Sequence, residues 1–445
     1  MYFCTMRNSF SFSIKDKKGF AKKLFFWTKR FKYSCFLDSN ISQHNSPISY
    51  RNYDFISAVG TKKKCSPKNN NFQELERFFD ANKDWGFGYF SYDLKNEING
   101  LRSNNLDYLK LPKLFFFIPK IVFLIQGNNL KVESKLSKQE IEKILSQINL
   151  TKETKLDIEE LNLQKRESKN QYIKKIEKIK THIKRGDIYE LNYCQEFFSK
   201  KTKIKPHLLF WKLNKKAKAP FSSFFQIDKK YLICASPERF LRKKNQQLIS
   251  QPIKGTRKRS SDIVFDLQLK EELINSEKDK SENVMITDLV RNDLSKFSKK
   301  ASVKVEDLFG VYTFEQVHQM ITTISAEIED RISIFDVIRG AFPMGSMTGA
   351  PKRKAMELIE KYETTKRGLF SGSVGYIKPN FDFDFNVVIR SLLYNSNNDY
   401  CSVMAGGAIT NKSIAEEEYE ECFVKVKAIL EIAKEKTKDI CERKV

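Results

Sequence analysis

A single lysine sits inside a turn at Gln251-Pro252-Ile253-Lys254-Gly255-Thr256-Arg257. Proline fixes the backbone there, and glycine lets a ligand approach the main chain. A lysine enclosed at such a place can shed its proton and act as nucleophile or base; left in water it is an ordinary surface charge. Asp279 and Glu282 stand three residues apart in a helical stretch, and so do Glu418 and Glu421. Each pair therefore shares a helix face. Two helices each offering a carboxylate pair could hold a hard divalent ion, and Mg²⁺ suits them best because it keeps waters and open positions. Two solvated acidic faces are the alternative. Gly345-Ser346-Met347-Thr348-Gly349-Ala350-Pro351-Lys352 puts small residues ahead of the helical Arg353–Tyr362 stretch. Backbone N–H groups can face an anion there, although the spacing of a Walker loop is absent. Ala405-Gly406-Gly407-Ala408 suits either a tight turn or a close backbone approach to a ligand. His318, in Val317-His318-Gln319-Met320, has apolar neighbours that fit a structural histidine as well as a catalytic one.

These residues need elements to hold them. Runs such as SFSFSI, DFISAVG, WGFGYFSYDL and KLFFFIPKIVFLI, all before residue 127, have strand character, with a helical pattern near Phe72–Asn82. Residues 128–170 are polar and read as a strand end, a helix over Ser137–Ile148 and a connector. Tyr172–Arg185 has helical spacing and stops at Gly186; Phe221–Ile227 and Tyr231–Ala235 read as a hairpin. Ser281–Ser295 and Ile414–Lys434 read as helices with acidic faces. Strands and helices do not alternate regularly, so the expectation is a mixed α/β chain of the α+β type, with long antiparallel strands. The segments expected are an N-terminal lobe over 1–127, a connector over 128–170, a catalytic region over 171–435 and a tail over 436–445.

Composition narrows the class. The chain has 445 residues, 40% of them hydrophobic, which is ordinary globular usage. Its net charge of +25 invites a nucleic-acid reading, but the lysines are dispersed along the whole chain and the acidic pairs sit inside the motifs, so no nucleic-acid partner is expected. Eight scattered cysteines without a CxxC pair suit reduced thiols and a cytoplasmic location. No apolar run approaches the ~20 residues of a membrane span, so no membrane partner is expected.

The order of the motifs says more than any one of them. Ser236-Pro237-Glu238-Arg239-Phe240, Pro252–Thr256, SENVMITDLVRNDL (Ser281–Leu294), VHQM, GSMTGAPK, SGSVGYI (Ser371–Ile377), FNVVIRS (Phe385–Ser391), AGGAIT and EEEYEE (Glu416–Glu421) together resemble the chorismate-utilising enzymes. That family includes the first components of anthranilate synthase and aminodeoxychorismate synthase, with isochorismate and salicylate synthases. The resemblance implies a large two-lobed fold of two packed antiparallel β-sheets surrounded by helices. It implies Mg²⁺ held by Glu282 and Glu421, with Asp279 and Glu418 helping through water. Catalytic roles fall to Lys254 as a neutral amine attacking the ring, Glu238 as proton donor to the leaving hydroxyl, and His318 near that hydroxyl. Tyr376 and Arg390 would hold the enolpyruvyl carboxylate, and Gly255, Thr256, Thr348, Gly406, Gly407 and Lys352 would line the site. A lysine at position 254 resembles the aminodeoxychorismate branch, where the anthranilate branch carries a small residue. Glu190, in Tyr189–Gln195, falls where the water-using branches carry a lysine, so ammonia is the expected nucleophile. No GxCxG run of a glutaminase occurs. The expected partners are therefore chorismate, a separate glutamine amidotransferase subunit and a downstream aminodeoxychorismate lyase.

Overall fold

Hairpins build most of this chain. The computed structural model describes residues 7–40, 52–152 and 161–434. Its strands form a 12-stranded and a 10-stranded sheet, with antiparallel ladders. The larger sheet runs through Tyr33–Asp38, the hairpin Phe221–Ile227 and Lys230–Ser236, then Ser391–Asn395, Tyr400–Ile409 and Glu190–Ser199. The smaller runs from Ile253–Lys258 through Val317–Glu327, Gln247–Gln251 and Arg239–Lys244 to Phe383–Asn386 and Ser373–Ile377. Strands before residue 127 join both: Phe55–Val59 and Ile121–Gln126 enter the larger sheet, Gly86–Phe90 and Leu114–Ile118 the smaller.

The main core lies where the sheets face each other. Phe87, Phe116 and Phe385 of the smaller sheet meet Phe225 and Leu393 of the larger in one buried cluster. A second cluster covers the outer side of the larger sheet, where Tyr172, Leu209 and Tyr419 pack on Phe197 and Val403. The helices bringing them have readable ends. Ser168 and Gln171 form a capping box ahead of Lys169–Lys184, which stops at Gly186 (φ +80°). Ser276 caps Glu277–Ser295 by accepting from the Asp279 N–H. That helix buries Asn283, Ile286, Thr287 and Leu294 on one side. Its inner face is fastened by the Thr322 hydroxyl, which donates to Asn283 Oδ1 at 2.5 Å.

The expected helices occur at Asn71–Asp80, Lys138–Asn149 and Ala415–Lys434, and the hairpin strands pair as read. Two elements differ from the sequence reading. Lys17–Trp27 is a helix, although its basic and aromatic residues gave no helical signal; Phe20, Leu24 and Phe25 are buried. Glu190–Ser199 is a strand buried along its whole length, so its polar residues erase the alternation that marks a half-exposed strand. The 436–445 tail lies outside the described residues. Among the described residues no helix is long and apolar enough to cross a membrane, and six cysteines are free and buried.

Candidate active site

A cavity of about 690 Å³ is lined by Ile253–Lys258 from the smaller sheet, Ala405 and Gly406 from the larger, and the helices Glu277–Ser295 and Ala415–Lys434. Lys254 points into it from a buried position. Gly255 follows at φ +85°, and a β-carbon there would stand 2.8 Å from Leu273 and 3.1 Å from Asp279. Only glycine lets the acidic helix come this near. Lys254 Nζ lies 3.4 Å from Glu190 Oε1. Burial works against its charge, but the carboxylates of Glu190, Glu282 and Glu238 outweigh burial and raise its pKa. The raised pKa favours the ammonium before substrate arrives, so the neutral amine expected to attack must first lose a proton.

Glu238 lines the same cavity and is buried. Burial pushes its carboxyl up to about 7, against the opposing pull of the Ser346 hydroxyl and the Lys254 charge. Ser346 Oγ donates to Glu238 Oε1 at 2.6 Å. The result is a carboxyl that keeps a proton near neutrality, which suits a general acid.

Asp279, Glu282, Glu418 and Glu421 all face the cavity. Arg257 Nη2 donates to Asp279 Oδ2 at 3.0 Å, and Lys278 lies 3.8 Å from Glu418, linking the two acidic helices. Burial and the charge of Glu421 push Glu418 up to about 7, whereas Glu421 is held low, against burial, by Lys425 at 2.8 Å. Ser413 Oγ donates to Glu418 Oε1 at 2.8 Å, but Glu418 Oε2 is buried without a hydrogen-bond partner. Gly407 leaves the space in front of it open: a β-carbon there would come within 2.7 Å of that oxygen. Among the described residues no three acidic, histidine or cysteine side chains converge as a metal cluster. The four carboxylates face the cavity as two pairs, and an orphaned buried oxygen among hard oxygen donors fits a divalent cation.

Arg390, partly exposed, lines the cavity with no hydrogen-bonded partner for its guanidinium among the described residues. Burial lowers its pKa, against the charge of Glu421. An unpaired guanidinium is a ready carboxylate fork.

Four expected site residues lie elsewhere. His318 faces away from the cavity, with Nε2 3.1 Å from Asp266 Oδ1 and Nδ1 3.0 Å from Thr313 Oγ1. Strand side chains alternate, so its neighbours Val317 and Gln319 line the cavity instead. Tyr376 lies in a separate, small cavity beside Tyr53 and Asp384, and packs on Trp85 and Phe87. Phe370 lines the main cavity. Thr348 closes its own turn, donating to Met344 O at 3.0 Å, while Ser346 and Met347 face the cavity. Lys352 pairs with Asp293, away from the acid pairs. Gln319 was not foreseen, although the alternation around His318 pointed to it; its Oε1 is buried without a partner. Ser346 was legible only as part of a small-residue turn.

A sequence model of the family described as chorismate binding enzyme matches residues 31–431. The chain belongs to the chorismate-binding enzymes. It is 38% identical over 263 residues to aminodeoxychorismate synthase component 1 of Escherichia coli, a match covering 59% of this chain and 57% of that one. With the protein of the same name from Bacillus subtilis it shares 31% identity over 368 residues, covering 79% and 78%. The crystal structure of anthranilate synthase component I from Streptococcus pneumoniae superposes with a TM-score of 0.75 at 23% identity, covering 88% of this chain and 94% of that one, so the two share the fold. In this chorismate-binding enzyme the two facing sheets and the cavity between the acidic helices carry the family's motifs.

Proposed function

We propose that the chain is the first component of an aminodeoxychorismate synthase, converting chorismate and ammonia to 4-amino-4-deoxychorismate on the route to para-aminobenzoate and folate. The observation that carries this reading is Lys254, buried, facing the cavity and within reach of Glu238's field. A small residue at that place would mark the anthranilate branch, and the Escherichia coli and Bacillus subtilis relatives bear the aminodeoxychorismate name.

Chorismate has two carboxylates and a poor leaving group at C4. Arg390 receives the enolpyruvyl carboxylate as a bidentate partner. Gly255, Thr256 and Gly406 shape the wall around the ring. Glu282 and Glu421, with Asp279 and Glu418 beside them, are the residues that would hold Mg²⁺, whose charge draws electron density from the ring. Lys254 gives up a proton and attacks C2. Glu238 protonates the departing C4 oxygen, which leaves as water. Ammonia then attacks C4 and expels Lys254, so two easier displacements replace one hard one. The ammonia comes from a separate glutamine amidotransferase subunit, the product passes to an aminodeoxychorismate lyase, and all three work in the cytoplasm.

The test combines the purified chain with chorismate, Mg²⁺ and ammonium, with and without added lyase. Para-aminobenzoate is expected only with lyase, and not from Lys254→Ala. Anthranilate formed without lyase would overturn the reading.

A further inference from the structure

Lys254 starts the proposed reaction as an ammonium, so something must take its proton. Three acidic groups face it from the surrounding elements: Glu190 from the strand Glu190–Ser199, Glu238 from the turn before Arg239–Lys244, and Glu282 from the Glu277–Ser295 helix. Glu238 is committed to the leaving oxygen, and Glu282 to the metal. Glu190 is the one that touches the amine, with Oε1 3.4 Å from Nζ. It is 1% exposed and absent from the cavity wall, so Lys254 has the cavity on one side and Glu190 behind it. Its second oxygen, Oε2, is buried without a hydrogen-bond partner, leaving room for a proton.

The glycine-rich turn holds Glu190 there. Glu190 pairs with Ala350 across a short ladder, and the Tyr189 N–H donates to Ala350 O at 2.7 Å. Gly349 sits at φ +147°, and a β-carbon on it would stand 2.2 Å from the Glu190 carbonyl oxygen. The Gly345–Lys352 motif thus serves the site partly by locking Glu190 behind the lysine.

We propose that Glu190 is the proton acceptor that activates Lys254 and the donor that recharges it after the adduct breaks. This rests on the aminodeoxychorismate reading. In the first half an Nζ–H bond breaks, the proton moves to the Glu190 carboxylate, and the free amine forms the bond to C2. The Glu238 proton leaves with the C4 hydroxyl as water, and the lysine nitrogen becomes a secondary ammonium. In the second half ammonia bonds to C4 and the C2–N bond breaks. Lys254 leaves as a neutral amine and regains its proton from Glu190. The new C4 ammonium returns a proton to Glu238, so chorismate and ammonia give product and water with no other reactant.

Glu190→Gln keeps the shape but cannot take the proton. Rapid-quench mass spectrometry of the holoenzyme with chorismate measures adduct formation on Lys254. At neutral pH the variant is expected to form adduct about 10²–10⁴-fold more slowly than the native chain. The ratio of variant to native rate, which cancels the titration of Glu238, should then rise about tenfold per pH unit, because the lysine must lose its proton to solvent. Glu190→Asp keeps a carboxylate, and its ratio should stay flat with pH. A Glu190→Gln ratio near one, or one that is low but flat with pH, overturns the proposal. If Glu190→Gln does not fold, a rising ratio for Glu190→Asp overturns it. A native chain that makes no 4-amino product fails the parent reading; a native chain that makes it beside an unimpaired Glu190→Gln fails this inference alone.

Discussion

Glu238 and Ser346 set the proton budget of the cavity. Glu238 titrates at about 7 because burial disfavours its charge more than Ser346 and Lys254 favour it. In the proposed reaction Glu238 acts in its acid form, so kcat/KM is expected to fall as pH rises through about 7. Ser346→Ala removes a donor that lowers the Glu238 pKa, so that falling limb should move to higher pH in a pH–rate profile. Glu238→Gln should lose about 10²–10⁴ in kcat, since the amide cannot deliver a proton. A place in the cavity was legible for Lys254, Glu238 and Arg390, each carried by one of the ordered motifs. The reading failed where identity alone was used without direction. His318 and Tyr376 carry the right chemistry but stand on strand positions that face other neighbours. Period-two alternation already put Gln319, not His318, on the same face as Val317.

Elements hold the site through contacts that no motif announces. Arg367 is buried; it donates to both oxygens of Glu363, to Asn192 O at 2.7 Å and to Met347 O at 2.7 Å. Glu363 in turn accepts from the Cys194 N–H at 2.9 Å. This pair ties the buried strand Glu190–Ser199 to the turn that carries Ser346. Arg367→Ala leaves a buried carboxylate alone and is expected to cost about 3–5 kcal/mol in chemical denaturation. Gly407→Ala puts a methyl 2.7 Å from Glu418 Oε2 and 3.2 Å from Glu421 Oε2, against side-chain oxygens of two proposed cation ligands. It is expected to weaken Mg²⁺ binding at least several-fold in titration calorimetry while leaving the thermal midpoint nearly unchanged. Helices with capping residues and clean periodicity were readable in advance, as over Ser137–Ile148, which is observed as Lys138–Asn149. The strand Glu190–Ser199 was not, because a strand with both faces buried shows no alternation.

Across the whole molecule, the described strands before residue 127 are divided between the two sheets. Leu114–Ile118 and Gly86–Phe90 contribute one side of the central aromatic core, against which strands from later in the chain pack. A fragment beginning at residue 171 is expected to lack a cooperative unfolding transition by circular dichroism, since Phe225, Phe385 and Leu393 would lose their partners. The family and the two-sheet architecture were legible because many motifs recur in order, and that order is a property of the whole chain. Which ring carbon receives nitrogen hangs mainly on Lys254. Turnover of chorismate with isotopically labelled ammonium, read by NMR of the product before any lyase is added, locates that nitrogen directly. Nitrogen on C4 with the enolpyruvyl group still attached is expected; nitrogen on C2 would contradict the role proposed for Lys254.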